Sequence, residues 1–492
     1  MGVLPVIAVI ALISTTIGLG VYGLRFSRST SDFFVASRSV GVFTNASAVS
    51  GEYLSAASFL GIAAIIMVHG IDMLWYPVGF TVGYLVLLVL VAAPLRRSGA
   101  YTLPDFAETR MQSRMVRRIS SVLVVLIGWL YLLPQMQAAG LVVHVMTGAP
   151  SASGGLIVAL VVGFTVAMGG MRSITLVQSF HYWLKLGAIA VPTLAIAWTW
   201  WRNGEPPLSA AHWGEPLATF AGRHFPVYGN VSLIIATFFG TMGLPHVLVR
   251  FYAIRDGRAA RRTSLAVLVF LSAFYVFTAP LGALGRRYMP DLLRHGPTDA
   301  LVLLLPGRVL PGAVGDILGA LVAAGAFAAF LATASGLVLS IAGVLSQDLL
   351  QKRLSAIQGF RAGTAIALAI PLCIVPFLLP HHLVEMVAMA FAVAASTFCP
   401  LLVLGIWWRR LSTIGAIAGL VVGGITSLSA VAVALFVPTT GLLAALVMQP
   451  AAWTVPLAFA TMVIVSLASP SAIPSHAAVT LGRLHTPDKF VV

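Results

Sequence analysis

The chain has 492 residues, of which 59% are hydrophobic and only 9% are charged. Soluble globular domains carry charge on roughly a quarter of their residues, so this composition excludes a soluble protein and indicates an integral membrane protein. The excess of 29 Lys and Arg over 14 Asp and Glu lies in short clusters between apolar runs, which fits membrane topology and not nucleic-acid binding.

Apolar runs of about 20 residues, the length that crosses a bilayer, recur about thirteen times along the chain. We predict membrane-spanning helices near 3–24, 42–68, 72–95, 119–147, 153–169, 174–201, 228–249, 264–285, 311–345, 360–380, 383–408, 413–437 and 451–469. The chain, 1–492, is therefore predicted to be a single all-α transmembrane domain. The tail after residue 470 is too short to fold alone, so we expect it to be loosely ordered.

The distribution of positive charge predicts the orientation of the spans. Under this scheme, twenty-two of the 29 Lys and Arg residues fall in segments on one side of the membrane and six fall on the other. Basic residues favour the cytoplasmic side, so we expect a multi-pass protein of the cell membrane with its N-terminus outside and its C-terminus in the cytoplasm. Arg25 and Arg28 follow the first run at once, and no small-residue cleavage site is present there, which is typical of an uncleaved anchor.

Two polar interruptions lie within the predicted spans. GEYLSAASFLG (51–61) places a carboxylate, hydroxyl groups and two glycines at membrane depth, and GTMGLPH (240–246) follows about half a chain later. Lipid cannot satisfy loosened backbone, so such breaks survive only inside protein or beside a water-filled cavity. Paired breaks in corresponding halves indicate the binding site of a transporter. Glu52 in the first break has two interpretations: a proton or cation site, or a paired acid that locks the broken helix.

Six segments, in order along the chain, resemble the sodium:solute symporter family and, within it, the carriers of acetate and other short monocarboxylates. They are GEYLSAASFLG, YTLPDF (101–106) with Arg110, GGMRSITLVQ (169–178), GTMGLPHVLVRF (240–251), AFAVAASTFCP (390–400) and GIWWRRLSTIGAIAGLVVGGI (405–425). The resemblance covers roughly residues 5–470. It implies a LeuT-like inverted repeat of five plus five helices, with core repeat one near 42–201 and core repeat two near 228–408. One helix would precede this core and two would follow it.

The resemblance also implies a sodium site. Its members would be the carbonyl oxygens of Gly51 and Leu54 at the first break, the carbonyl of Ala329, and side chains at Ala332 and Thr333. The chain departs from the commoner family pattern, because Ala332 has no side-chain oxygen and leaves Thr333 as the hydroxyl ligand. Sodium is the expected coupling ion, and the proton is the alternative.

Further polar residues are candidates for coupling or gating. Gln178 stands where family members that use an additional sodium carry an aspartate, so one-to-one coupling is expected. His181 and Lys185 follow on the same helix, four residues apart and therefore on one face. Lys185 has three interpretations: it balances a substrate carboxylate, it pairs with the acid of the first break, or it is a structural residue that snorkels from the span or is satisfied by backbone carbonyls. His246 and Arg250, just beyond the second break, are candidates for an inner gate or a structural polar role.

The predicted substrate is a short, partly apolar acid. The side chains of the first break are small, in the order Ala56, Ala57 and Ser58, and they leave no hydrogen-bond array for a polyol. The N-terminal ends of the broken helices would attract a carboxylate through their dipoles. The candidate substrate-binding residues are Ser58, Gln135, Phe238, Thr241, Phe391 and Thr397.

These expectations combine into a secondary active symporter that imports acetate, propionate or pyruvate with sodium. A proton-coupled carrier and a carrier of another small solute, such as an amino acid, are alternatives within the class. A transporter-like membrane nutrient sensor is the alternative from a different class. The sequence has no catalytic constellation, so we expect neither an enzyme nor a cofactor besides the coupling ion. The expected partners are the monocarboxylate, the coupling ion and the lipid bilayer, and no feature specifies an oligomeric state.

Overall fold

The computed structural model describes residues 2–24, 40–219, 224–252, 254, 256–350 and 354–486. Every regular element within these residues is helical. Helices satisfy all their backbone hydrogen bonds within one segment, which is what a bilayer demands of a spanning chain. The predicted all-α class is confirmed.

The helices are numbered in chain order. The first half contains α1 Val3–Leu24, α2 Val42–Tyr53, α3 Ile62–His69, α4 Trp75–Leu87, α5 Ala93–Arg97, α6 Leu103–Met111, α7 Arg114–Thr147, α8 Ala152–Arg202, α9 Ala210–Trp213, α10 Pro226–Gly240 and α11 Pro245–Tyr252. The second half contains α12 Gly257–Tyr288, α13 Pro290–His295, α14 Leu301–Val309, α15 Ala313–Val344, α16 Ala356–Ile374, α17 Leu383–Trp407, α18 Thr413–Phe436, α19 Gly441–Met448, α20 Ala451–Ala468 and α21 Ala477–His485. Short π or 3-10 segments extend several of these helices, at Ala57–Gly61, Ile71–Leu74, Leu88–Ala92, Thr241–Gly243, Thr298–Ala300, Leu345–Leu350, Val375–Phe377 and Pro470–Ala472.

The number of predicted membrane spans is confirmed. Among the described residues, twelve helices are long and apolar enough to cross a membrane, and a pair bent by 70°, Val42–Tyr53 with Ala57–His69, brings the number to thirteen. Some spans extend further into their polar flanks than the apolar runs predicted. The predicted span 264–285 is Gly257–Tyr288 in the structure, since Asp256 caps the helix by accepting a hydrogen bond from the Ala259 N–H at 2.7 Å.

The two spans predicted near 153–169 and 174–201 are both present, as Ala152–Gly169 and Met171–Arg202, and they meet at residue 170. No loop separates them, because helical structure continues through this junction and α8 runs for 51 residues. The junction contains the glycine pair at 169–170. Glycine weakens a helix by only about 1 kcal/mol relative to alanine, and the pressure to keep backbone groups paired in a membrane outweighs that amount.

The expectation of a loosely ordered tail is wrong for the described residues. The tail forms α21, which buries Ala477 and Leu484, seven residues apart and therefore on one helical face. The Leu484 carbonyl accepts a hydrogen bond from Arg97 at 3.3 Å, and His485 Nε2 lies 2.8 Å from the carbonyl oxygen of Ile406. These contacts dock the tail on the ends of α5 and α17.

α15 lies at the centre of the helix packing and contacts α1, α7 and α8. Its sequence is rich in alanine and glycine, and almost every residue from Leu318 to Val344 is buried. Small residues let helix backbones approach closely in membranes. Gly325, for example, lies against Ala188 of α8 and the ring of Phe59, where a Cβ atom would collide with both.

Both predicted breaks are present. α2 ends at Tyr53, and the chain resumes as the π segment Ala57–Gly61. α10 ends at Gly240, and Thr241–Gly243 and the extended residue Leu244 separate it from α11. α17 packs against both breaks, so the two irregular segments lie inside protein, as the absence of water in lipid requires. The assignment of the inverted repeats themselves stays a prediction.

Candidate functional site

The turn after α2 leaves backbone groups that its own helix does not pair. Leu54 has non-helical backbone angles, with φ −73° and ψ 85°. The side chain of Gln135, from α7, accepts a hydrogen bond from the Ala56 N–H at 3.0 Å. Gln135 was predicted to bind substrate, and the structure places it against the backbone of the break.

Lys185 of α8 reaches the carbonyl oxygens of the same turn. Its Nζ atom donates a hydrogen bond to the Leu54 carbonyl at 2.6 Å and another to the Gly51 carbonyl. The side chain is completely buried. The missing side chain of Gly51 makes this approach possible, because a Cβ atom there would collide with the carbonyl of Gln178 on α8. Of the three interpretations of Lys185, the contacts are those of a lysine satisfied by backbone carbonyls.

Glu52 forms a buried ion pair with Arg250 of α11. Glu52 Oε2 lies 2.8 Å from Arg250 Nε, and both side chains are almost entirely buried. The Nη1 atom of Arg250 also donates to the Thr175 hydroxyl at 2.8 Å, and Nη2 donates to the amide oxygen of Gln178. This geometry is that of the paired acid that locks the broken helix. α11 continues through Arg250 to Tyr252, so this residue lies at the end of a candidate span, and its place on the inner side stays a prediction.

α15 completes this cluster from the other side. The Thr333 hydroxyl donates to the backbone carbonyl of Glu52 at 2.6 Å, and the Ala332 carbonyl accepts a hydrogen bond from the Gln178 amide at 2.8 Å. Ala329 is buried one turn earlier on the same helix. The residues predicted to bind sodium are therefore brought to one region, where several of their oxygens already have protein partners. Their role as sodium ligands stays a prediction.

Aromatic rings line the other face of the turn. Tyr53 packs edge-on against Tyr84, with ring centroids 5.1 Å apart, and Phe80 lies 4.9 Å from Phe391. Tyr131 of α7 packs edge-on against Phe391 at 5.9 Å. We call these five residues the aromatic cluster. It joins α2, α4, α7 and α17 beside the first break.

Hydroxyl groups in and around the aromatic cluster are mostly paired with one another. The Tyr53 hydroxyl lies 2.9 Å from the Thr241 hydroxyl and donates to the carbonyl of Phe80 at 3.1 Å. Ser58 and Tyr275 share a hydroxyl–hydroxyl bond of 3.0 Å. These contacts bring Thr241 of the second break directly onto the end of α2, so that the two breaks meet at this cluster.

Some buried polar atoms at the cluster have no hydrogen-bond partner among the described residues. They are the Tyr84 hydroxyl, the Oε1 atom of Glu52 and both ring nitrogens of His246. The His246 ring packs edge-on against Tyr131 at 5.1 Å. Buried polar groups in native proteins almost always find a partner in protein, water or ligand, so these atoms are candidates for contact with a bound polar molecule. His181, in contrast, pairs with the hydroxyl of Thr16 on α1 at 2.9 Å.

The predicted substrate-binding residues divide into two groups. Ser58, Thr241 and Phe391 lie at the aromatic cluster, as described above. Phe238 lies half-buried on α10, while its neighbours Thr237 and Gly240 are buried. Thr397 bonds to the Val393 carbonyl of its own helix at 2.7 Å and turns its methyl group toward Gly424 of α18. The structure therefore does not bring these two side chains to the cluster.

Sequence reasoning missed Tyr53, Phe80, Tyr84, Tyr131 and Tyr275. A tyrosine hydroxyl at membrane depth needs a partner, so the tyrosines within predicted spans carried a signal that was available. Which helix faces converge was not available from periodicity, because these spans are apolar on most sides.

A cavity of about 530 Å³ opens at the end of the molecule predicted to lie outside. His69, Tyr76, Asn230 and Glu385 are among the residues that line it. The Tyr76 ring lies 6.1 Å from the ring of Phe80, so the wall of this cavity touches the aromatic cluster.

A titratable pair lies beside this cavity, outside the membrane spans. His382 Nδ1 lies 3.8 Å from a carboxylate oxygen of Asp299, and its ring is 6.0 Å from that of His69. Burial alone lowers the pKa of His382, but the nearby carboxylates of Asp299 and Glu385 outweigh this effect, and its pKa is raised above the ordinary value of 6.5. His382 therefore carries a positive charge more readily than a free histidine would.

Known proteins resemble the chain over most of its length. A model of the sodium:solute symporter family matches residues 33–423. The uncharacterized symporter YwcA of Bacillus subtilis is 30% identical over 435 residues, which are 85% of this chain and 84% of the relative. The monocarboxylic acid transporter of Corynebacterium glutamicum is 30% identical over 441 residues, which are 82% of this chain and 79% of the relative.

Solved structures share the arrangement of helices. A sodium-coupled sialic acid symporter, in a substrate-bound outward-open state, superposes with a TM-score of 0.71 and 15% identity over 96% of this chain and 98% of that chain. MHP1 is a nucleobase-cation-symport-1 family transporter, solved in a closed conformation with bromovinylhydantoin bound. It superposes with a TM-score of 0.58 and 14% identity over 93% of this chain and 99% of that chain. At such low identity these likenesses establish the fold alone, which is LeuT-like.

Proposed function

The chain belongs to the sodium:solute symporter family, and from this premise we propose that it is a secondary active symporter that imports a short-chain monocarboxylate such as acetate, propionate or pyruvate. The family and the relatives named above are transporters and not enzymes. The relative in Corynebacterium glutamicum is named for monocarboxylic acids, which supports an acid of this kind as the cargo.

The observation that carries the proposal is the set of unpartnered polar atoms beside the aromatic cluster. The Tyr84 hydroxyl and the His246 ring can each donate a hydrogen bond to a carboxylate, and neither has a partner among the described residues. The rings of the cluster offer an apolar surface for a short hydrocarbon chain. A small acid needs one polar end and one apolar end, and this region supplies both.

The charges of the buried core also favour an anion. The turn region contains one carboxylate, Glu52, and two basic side chains, Arg250 and Lys185, all of them buried. Charges buried in low dielectric need compensation, and a single carboxylate of the substrate would supply it. A sugar or a zwitterionic amino acid would bring no net negative charge.

The small side chains of the turn also favour a short acid as the substrate. Ala56 and Ala57 carry minimal side chains, and the Ser58 hydroxyl already bonds to Tyr275. Few free donors and acceptors remain for a polyol. The substrate is therefore proposed to be short and singly charged.

The coupling ion of this proposal is a cation that enters with the acid. Sodium is the ion implied by the family, and the proton is the alternative. We further propose that the protein lies in the cell membrane with its N-terminus outside and its C-terminus in the cytoplasm, as the distribution of basic residues predicts.

Reconstitution tests the proposal directly. Purified protein in liposomes should take up labelled acetate or pyruvate when a sodium gradient or a proton gradient is imposed separately, and unlabelled propionate should compete. Glucose, galactose and proline should not compete. Preferential uptake of proline or a hexose would contradict the substrate assignment. Saturable binding of an acid without uptake or exchange under any gradient would favour the membrane sensor.

A further inference from the structure

The position predicted for sodium is defined by oxygens of the first break and of α15. In LeuT-like transporters, unwound backbone carbonyls coordinate the coupling ion. A sodium ion at this place needs the carbonyls of Gly51 and Leu54 as ligands, together with oxygens from α15. The first question is therefore whether these oxygens can accept an ion.

Both carbonyls of the turn already accept hydrogen bonds from one cationic group. Lys185 Nζ lies 2.6 Å from the Leu54 oxygen and also bonds to the Gly51 oxygen. A nitrogen that contacts both carbonyls stands where an ion shared by them would stand. Lys185 is attached to α8, which contacts both α2 and α15.

α15 offers one hydroxyl ligand, Thr333, where the commoner family pattern also has a hydroxyl at position 332. Ala332 has no side-chain oxygen, and its carbonyl accepts the hydrogen bond of the Gln178 amide at 2.8 Å. The Thr333 hydroxyl donates its proton to the Glu52 carbonyl at 2.6 Å. The donor set of this chain therefore does not fit a sodium ion, because the Gly51 and Leu54 carbonyls already contact a cationic group and the hydroxyl shell is incomplete.

We propose that the ammonium group of Lys185 replaces sodium at this position, so that the protein binds no sodium there and does not require sodium for uptake. This inference rests on the proposed function only where uptake is the readout. Two cations cannot share the two carbonyls, since unit charges a few ångströms apart repel strongly in a buried site. A sodium ion would have to expel a lysine from a fully buried position.

The replacement has a local cause in the sequence. Gly51 allows α8 to approach the turn, because any Cβ atom there would collide with the Gln178 carbonyl. The lysine chain then spans the remaining distance to the carbonyls. A side chain at residue 185 too short to reach them, combined with a hydroxyl at residue 332, should restore a site for a free ion.

The first experiment uses the unaltered protein. Its melting temperature in detergent should be the same in sodium, potassium and choline chloride of equal ionic strength, since an ion that binds only the folded state raises stability. In liposomes, exchange of labelled acetate or pyruvate should proceed at the same initial rate in sodium and in choline. A melting temperature or an exchange rate that rises saturably with sodium would overturn the proposal.

The second experiment removes the lysine. Lys185→Ala should melt at a lower temperature than the parent in choline, because two buried carbonyls lose their partner. Sodium should restore part of this loss, and it should restore more in the double variant Lys185→Ala, Ala332→Ser. Thr193→Val is a matched control, since Thr193 lies on the same helix and bonds to Ile189 and Phe277, away from the turn. The control should show no response to sodium.

The two proposals fail in different ways. Absence of uptake or exchange for every acid tested, with a sodium-insensitive melting temperature, would refute the proposed function and leave the lysine assignment standing. Sodium-dependent uptake of an acid would support the proposed function and refute the lysine assignment. If Lys185→Ala does not fold, the sodium dependence of melting and exchange in the unaltered protein still tests the lysine assignment.

Discussion

Replacement of Glu52 by glutamine would keep the size of the side chain and remove the charge that faces Arg250. The two side chains are 2% and 1% exposed and lie 2.8 Å apart. Breaking a buried ion pair leaves an uncompensated charge and lowers the free energy of unfolding by about 3–5 kcal/mol. The bonds of Arg250 to Thr175 and Gln178 remain, so we expect a loss near the lower end, about 3 kcal/mol.

The control for this substitution is Glu108→Gln. Glu108 lies 2.7 Å from Arg117, but its side chain is 33% exposed, and such pairs contribute about 0–1 kcal/mol. Chemical or thermal unfolding in detergent should therefore separate the two variants clearly, and surviving uptake by Glu52→Gln should keep the pH profile of the parent. A variant at position 52 that is as stable as the parent but has lost its pH dependence would refute the structural interpretation and favour an acid that titrates during transport.

Phe391→Ala should abolish or strongly weaken uptake of a monocarboxylate by removing one wall of the aromatic cluster, whereas Phe238→Ala should leave the half-saturating concentration unchanged; equal effects would contradict the placement of the site. Gly336→Ala should destabilise the protein in unfolding measurements, because its Cβ atom would collide with the carboxylate that pairs with Arg250, while Gly343→Ala on the same helix has nothing within 4 Å and should be neutral or stabilising. His382 has a raised pKa in the folded state, so its stabilising contribution is fully present below its ordinary value of 6.5 and is lost as pH rises through the folded value. The melting temperature of the parent should therefore fall as pH rises through neutral values, and His382→Gln should reduce this fall. An unchanged pH dependence in the variant would show that the pair of His382 and Asp299 contributes nothing to stability.

The sequence was sufficient for the spans and the breaks because each depends on a local property. The length of an apolar run matches the thickness of the bilayer. Polar residues interrupt such a run at Gly51 to Gly61 and again at Gly240 to His246. The glycine pair at 169–170 lies where two predicted spans meet and does not end the helix, since glycine permits a turn without requiring one.

The pairing of charges was not predictable in the same way. Glu52, Lys185 and Arg250 were all recognised as unusual, but their partners depend on how α2, α8 and α11 are rotated against one another. Most faces of these helices are apolar, so periodicity does not fix that rotation. Phe238 was selected and Tyr53 overlooked for the same reason: the choice between neighbouring faces of a helix is made by packing.

The docked helix α21 has a bearing on how the protein cycles. Alternating access requires the elements around the breaks to move against each other, yet α21 holds the ends of both α5 and α17 through Arg97 and His485. Any motion that separates those two ends must first release it. We therefore expect the docked tail to oppose such a motion, and we expect a bulky fusion partner attached behind it to lower the rate of transport.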